Sequence, residues 1–301
     1  MSNKPGLLVT GASGFVGRHV IATGRRRFDI VATGRGARPA WLPSDVTWCA
    51  VDLLNRSSVA GLPTDLPFVL HLASETVPAQ FSSYDPMLDS VEMTLNLCRH
   101  LRSGRLLFVS SCLVYGAGKE PLTEHSPVDP RGNYGLAKSM CENVVLRSSE
   151  IETTVARPFN HIGSGMRPDL VIPSIVRRVR NGAAAAPIEM AGLDSIRDFL
   201  DVDDIVEAYF AILALSKPSH RVFNVCSGRP TSIGEVVSTV ADVLHKPNSQ
   251  VVFSGKGNSA DDTSIVVGDG TLLRASTGWS PKYDLRESLC RLIIGSDTPN
   301  S

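Results

Sequence analysis

A short apolar strand that feeds directly into Thr10-Gly11-Ala12-Ser13-Gly14-Phe15-Val16-Gly17, and from there into a helical pattern, constrains this chain more than any other stretch. Residues 7–9 read as the strand; Phe15, Val16, Val20 and Ile21 fall close to helical spacing. Gly11 allows a tight turn without Cβ strain, Gly14 lets backbone N–H groups approach a pyrophosphate, and Gly17 lets the helix pack close to the strand. Unpaired N–H donors and the macrodipole at the helix start both favour negative charge. The stretch reads as the floor of a dinucleotide site, and the strand before it and helix after it give the glycine triplet its weight.

The alternation continues downstream. Apolar runs at 30–33, 47–51, 68–72, 106–109 and 153–156 predict buried strands, and helical patterns cover 87–102 and 134–148. Strands and helices alternating at these lengths imply right-handed crossovers and an α/β fold, a Rossmann-type doubly wound parallel sheet. Residues 1–160 are expected to form the dinucleotide-binding domain. Residues 161–301 are expected to be mainly a smaller, mixed substrate-binding portion. Its helices fall at 171–180, 203–215, 233–244 and 285–294, with late strands such as 222–225 returning to the main sheet. A Pro-rich passage at 121–130 predicts a surface loop, and an Ala-rich turn runs to Pro187. His71 interrupts an apolar strand and reads as a hydrogen-bonded core residue. Arg25, Arg26 and Arg27 read as complementing a helix C-terminus.

Where an NAD site would offer a carboxylate to the ribose 2′-OH, the second strand ends in Arg35, with Arg38 close behind and no acid from 30 to 42. A guanidinium pairs a 2′-phosphate bidentately, so the pattern favours NADP(H). Thirty basic and thirty acidic side chains give no net charge, hence no field to draw the protein to nucleic acid or an anionic membrane. No run reaches the roughly 18 apolar residues of a membrane span. Six scattered cysteines, without metal-binding spacing, read as reduced thiols of a cytoplasmic protein, with no metal expected.

Taken together, Gly11, Gly14 and Gly17, Asp52-Leu53, Ser111 with Val114-Tyr115-Gly116, Tyr134 with Lys138, Arg157-Pro158-Phe159-Asn160 and Arg197-Asp198-Phe199 with Asp203 resemble the extended short-chain dehydrogenase/reductases over nearly the whole chain. Within them, 157–163 and 223–228 look most like the GDP-4-keto-6-deoxy-mannose reductases. The resemblance implies Tyr134 as proton donor, Lys138 holding the nicotinamide ribose and favouring the phenolate, and Ser111 donating to the substrate oxygen. It implies cofactor contacts from Gly11, Ser13, Gly14, Phe15, Val16, Gly17, Arg35, Asp52, Leu53, Leu72, Ala73, Ser74, Tyr134, Lys138 and Pro158. Substrate contacts would come from Ser111, Asn160, Val171 and Arg197, with Arg197 on the diphosphate. Related proteins also often dimerise through the helix after strand four and the Tyr134 helix, where Met93, Leu95, Leu97, Met140, Val144 and Val145 could supply apolar area.

Three positions depart from the family's pattern. Its dehydratases carry Asp-Glu after the serine or threonine, where this chain has Cys112-Leu113, which disfavours dehydration. Asn258-Ser259-Ala260-Asp261 replaces a nucleotide-holding Arg-Pro before Asp, and Ser90 stands where an asparagine is usual. The leading expectation is NADPH-dependent reduction of a nucleotide-linked 4-keto-6-deoxy sugar by a homodimer. A nucleotide-sugar epimerase is the second reading, and a non-catalytic NADP(H) sensor the third.

Overall fold

The computed structural model describes residues 3–76, 78–116, 121–181, 192–246 and 265–297 of the 301. Seven parallel strands form the central sheet. In chain order they are β1 (Gly6–Thr10), β2 (Asp29–Gly34), β3 (Thr47–Ala50), β4 (Phe68–His71), β5 (Arg105–Val109), β6 (Glu152–Pro158) and, after two-stranded and three-stranded additions, β10 (Val222–Val225). Their spatial order is β10-β6-β5-β4-β1-β2-β3. The chain starts in the middle and winds outward both ways, so the order reverses between β1 and β4. Open sheets of this kind bind ligands at that reversal, beyond the carboxyl ends of the strands.

Helices cover both faces, which is why β1 is apolar at every position from 7 to 9 rather than alternating. Leu7 and Val9 face α1 (Phe15–Gly24); Leu8 faces α2 (Arg56–Val59), α3 (Asp85–His100) and α4 (Gly132–Leu146). Beyond β6 the chain forms β7 (Asn160–Ile162), α5 (Val171–Asn181), β8 (Ile196–Arg197), β9 (Phe199–Asp201) and α6 (Val202–Ala214). After β10 come β11 (Thr231–Ser232), α7 (Ile233–Val243), β12 (Ile265–Val266), α8 (Thr271–Thr277) and α9 (Leu285–Asp297). α5, α7 and α9 share a separate apolar cluster that includes Ile175, Val240 and Leu289. α6 instead joins α1 on the main sheet, so the second half of the chain contributes both a strand and a covering helix to the central layers.

α1 ends at Gly24, with no basic residue in its last turn and Arg25 as its C-cap. Arg27 forms a bidentate pair with Glu207 of α6, at 2.7 and 2.8 Å, and Arg25 pairs with Asp45. The short elements α2, β7, β11, β12 and α8 carry too few residues to show a period, and none was anticipated. The Ala-rich turn at 183–186 and the departure at 258–261 lie outside the described residues.

Candidate functional site

At the β1/β4 reversal the turn is built as its glycines suggest. Gly11 adopts φ +67°, and a Cβ there would stand 2.7 Å from the Ala73 nitrogen and 2.9 Å from the Leu72 carbonyl carbon. A Cβ at Gly17 would stand 2.5 Å from the Gly11 oxygen. Gly14 occupies the N-cap of α1 with no side-chain cap, and the first turn holds no acid. Ser13 is exposed, and Phe15 and Val16 are half-buried beside it. A helix start whose N–H groups lack a side-chain partner, reached by backbone that no methyl could occupy, suits a pyrophosphate.

A buried rail fixes this turn against β4. The Ala73 N–H donates to Thr10 Oγ1 (3.2 Å), and Thr10 Oγ1 lies 2.7 Å from His71 Nδ1. His71 Nε2 lies 3.1 Å from Thr94 Oγ1, whose own proton goes to the Ser90 carbonyl (2.8 Å). With the Thr94 proton committed, His71 must donate from Nε2 and accept at Nδ1. Burial, aided by the Lys138 charge, drives its pKa down to about 3, so the ring is neutral. His71 is therefore a core residue, as its apolar strand implied, and it ties Thr10 to α3. Ser90 accepts at its carbonyl there, donates its hydroxyl to Pro86 and lies 3.4 Å from the Ser74 hydroxyl.

At the end of β2 the two arginines part company. Arg35 is exposed, whereas Arg38 donates to the carbonyls of Val46 (2.7 Å), Pro43 (2.6 Å) and Leu42 (3.3 Å). Arg38 is the strap of its own loop. Asp52 accepts from the Leu54 N–H at 3.1 Å, which shapes the turn after β3, and the Leu53 side chain is buried beneath α3.

Ser111, Tyr134 and Lys138 converge at the carboxyl end of β5. Ser111 caps a 3₁₀ turn, its hydroxyl accepting from Leu113 N at 3.1 Å, and it lies close enough to the Tyr134 phenol to oppose the effect of burial on it. Gly135 makes this possible: a Cβ there would stand 2.2 Å from the Leu113 oxygen, so only glycine lets α4 ride against the turn. Lys138 Nζ lies 5.8 Å from the Tyr134 ring centroid and donates to Val109 O at 2.9 Å. Burial lowers its pKa to about 8 and pushes the Tyr134 phenol well up, with Ser111 as the opposing influence. Desolvation dominates the phenol, while the Lys138 ammonium donates to the Val109 carbonyl. Tyr134 stays protonated near neutral pH.

Beneath these residues runs a polar network that sequence reading missed. Glu142, one turn past Lys138, accepts from Arg157 Nη2 (2.6 Å) and Nε (2.9 Å) and from the Ser110 hydroxyl (2.5 Å). Arg157 Nη1 donates to the Tyr115 hydroxyl (2.9 Å), which donates to Asn224 Oδ1 (2.8 Å). A Glu four residues past Lys138 was the available signal, but its partner lies on another element. β6, which carries Arg157, ends at buried Pro158. Asn160 follows, and its amide donates to Asp198 O at 3.0 Å.

Asp198, 0% exposed, gathers Ser227 N and Oγ, Gly228 N and Gly268 N. Arg197 is half-buried, near enough for its charge to act on the Cys112 thiol beside Ser111. Val171 stands 55% exposed at the start of α5 and takes no part in this network among the described residues. Asp203 holds His19 of α1 at 2.8 Å, and His19 reaches Ser164 O at 2.9 Å.

Residues 7–226 match the family described as NAD dependent epimerase/dehydratase family. The chain is 34% identical over 303 residues to a GDP-6-deoxy-D-mannose reductase of Pseudomonas aeruginosa, covering 95% of each. It is 25% identical over 319 residues to a dTDP-4-dehydro-6-deoxyglucose reductase of Escherichia coli, covering 97% of this chain and 98% of the other. The structure of RMD from Pseudomonas aeruginosa complexed with NADPH superposes with a TM-score of 0.80 at 30% identity, covering 97% of this chain and 98% of that one.

Proposed function

The chain belongs to the NAD dependent epimerase/dehydratase family, and on that premise we propose that it is an NADPH-dependent oxidoreductase that reduces the C4 ketone of a nucleotide-linked 4-keto-6-deoxy sugar. The observation that carries this reading is the convergence of Ser111, Tyr134 and Lys138 beside the open glycine turn. The glycine turn would hold the pyrophosphate and Arg35 the 2′-phosphate. Reduced nicotinamide supplies the hydride when bound. A ketone that receives hydride needs a proton on its oxygen in the same transition state. Tyr134, kept protonated by burial, is the donor, and the Ser111 hydroxyl stabilises the charge developing on that oxygen. Lys138 places its ammonium for the ribose, and Asn160 and Arg197 line the sugar and diphosphate side. The reductases from Pseudomonas aeruginosa and Escherichia coli support this substrate class.

Dehydration is disfavoured by the residues after Ser111. Burial pushes the Cys112 thiol up to about 12, and Leu113 has no proton to move. Arg35 favours net reduction over epimerisation, since an epimerase returns its cofactor unchanged and need not select the NADPH pool.

Residues 1–160 would serve mainly the cofactor and 161–301 the substrate. The protein would work in the cytoplasm as a homodimer through α3 and α4. Leu97 and Val145 are committed to its own core, so the apolar area would come from exposed Leu88 and Leu136, with Met93, Leu95, Met140 and Val144 at the margins. Presenting GDP-, UDP- and dTDP-linked 4-keto-6-deoxy sugars with NADPH and following nicotinamide absorbance tests the reading. Oxidation of NADPH with at least one of them is expected; no oxidation with any would refute it.

A further inference from the structure

With Arg38 occupied by three carbonyls, the corner beyond β2 retains Arg35 from the sequence pattern, and a second guanidinium on another element packs on the Ser13 turn beside it. Arg18, the residue after Gly17 on α1, donates Nε to the Ser13 carbonyl (3.3 Å) and lies 4.7 Å above the Trp41 ring centroid. Trp41 belongs to the loop that Arg38 straps. Ser13 closes the corner from below: its hydroxyl oxygen is 3.6 Å from where a Cβ on Gly34 would stand, and the Trp48 ring is 2.8 Å from the same point. The Trp48 indole donates to Gly36 O at 3.0 Å, fixing the backbone on the far side of Arg35. Ser13 thus touches Arg18 through its carbonyl and the Gly34 backbone beside Arg35 through its hydroxyl, and Arg18 and Arg35 are both exposed. Among the described residues, no hydrogen bond or ion pair involves the Arg18 Nη atoms or the Arg35 guanidinium.

We propose that Arg18 and Arg35 together grip the 2′-phosphate of the dinucleotide, which makes Arg18 a specificity-determining residue for NADPH over NADH. The inference rests on the NADPH reading above. A dianionic phosphate offers three acceptor oxygens, enough for a forked guanidinium from each side. Trp41 holds the Arg18 side chain in place beforehand, so less rotamer freedom is lost when the phosphate arrives.

Calorimetric binding of adenosine 2′,5′-bisphosphate and of 5′-AMP separates the 2′-phosphate from the rest of the nucleotide. The parent protein is expected to favour the bisphosphate. Arg18→Gln should weaken bisphosphate binding roughly tenfold or more, the size of one lost charge-assisted hydrogen bond, while 5′-AMP affinity stays within about twofold. Arg18→Lys, which keeps the charge and loses the fork, should fall between. Equal weakening of both ligands would overturn the proposal, since Arg18 would then merely hold the Ser13 turn. Undiminished discrimination in Arg18→Gln would overturn it as well. A parent protein that bound both ligands alike would refute the NADPH reading itself, before any variant is compared.

Discussion

At the scale of single residues, the site depends on opposite consequences of burial for two neighbours on α4. Burial keeps Tyr134 protonated, which suits a proton donor, and lowers Lys138 to about 8. Tyr134→Phe should therefore leave NADPH binding nearly intact while kcat falls by roughly 10²–10⁴, the usual contribution of a positioned acid. Ser111→Ala should cost about 10²–10³, as loss of one donor to a reacting oxygen typically does. Steady-state kinetics with parallel cofactor titration checks both, and a Tyr134→Phe enzyme at the parental rate would move the proton donor elsewhere, with Glu75 the next to test. The lysine sets a pH limb. Its folded pKa is depressed, so the ammonium that would hold the ribose is present below about pH 8 and is lost above it. kcat/KM for NADPH should decline there, and Lys138→Arg, which stays charged, should remove that limb from the profile.

At the scale of elements, what is local in the chain was legible and what joins distant elements was not. The glycine turn announced itself because strand, turn and helix are contiguous. Tyr134 and Lys138 could be paired because four residues make one helical turn. That Arg38, close behind Arg35, straps its own loop could not be read because the carbonyls that claim it belong to an irregular loop with no periodicity. The pairing of Glu142 with Arg157 could not be read because the two meet only when α4 packs on β6. Removing Arg157 leaves a buried carboxylate unpaired, so Arg157→Leu should cost about 3–5 kcal/mol in denaturant unfolding, and adding Glu142→Gln should restore part of it.

The contact between α1 and the Ser164 loop carries its own pH signature. Burial opposes charge on His19, but hydrogen bonds to Asp203 and Ser164 outweigh it and raise its pKa. A raised folded pKa means the added stability is fully present below the unfolded value of about 6.5 and is lost as pH rises through the folded one. The stability difference between the parent and His19→Gln should therefore shrink as pH rises through that window, as thermal unfolding at several pH values would reveal. A difference independent of pH would mean that His19 acts only as a neutral hydrogen-bonding group.

At the scale of the whole molecule, the outward-winding sheet brings the β1 turn, the β2 end and the β5 end to one edge, where the second half of the chain would supply Asn160 and Arg197 under the proposed function. Under the proposed reduction, cofactor and sugar would meet at that edge. The doubly wound parallel sheet was readable from alternating strands and helices. The side-chain network that fixes the opposing halves was not, because Asp198 collects its partners from residues 227, 228 and 268. The central claim is net hydride transfer from NADPH to a sugar carbon. It is tested most directly by supplying NADPH deuterated at the transferable C4 position and reading the sugar product by NMR. One deuterium on C4 of the sugar, with one NADP⁺ formed per product, is the expected result. An isomerised sugar without deuterium, beside cofactor recovered unchanged, would contradict it and identify an epimerase.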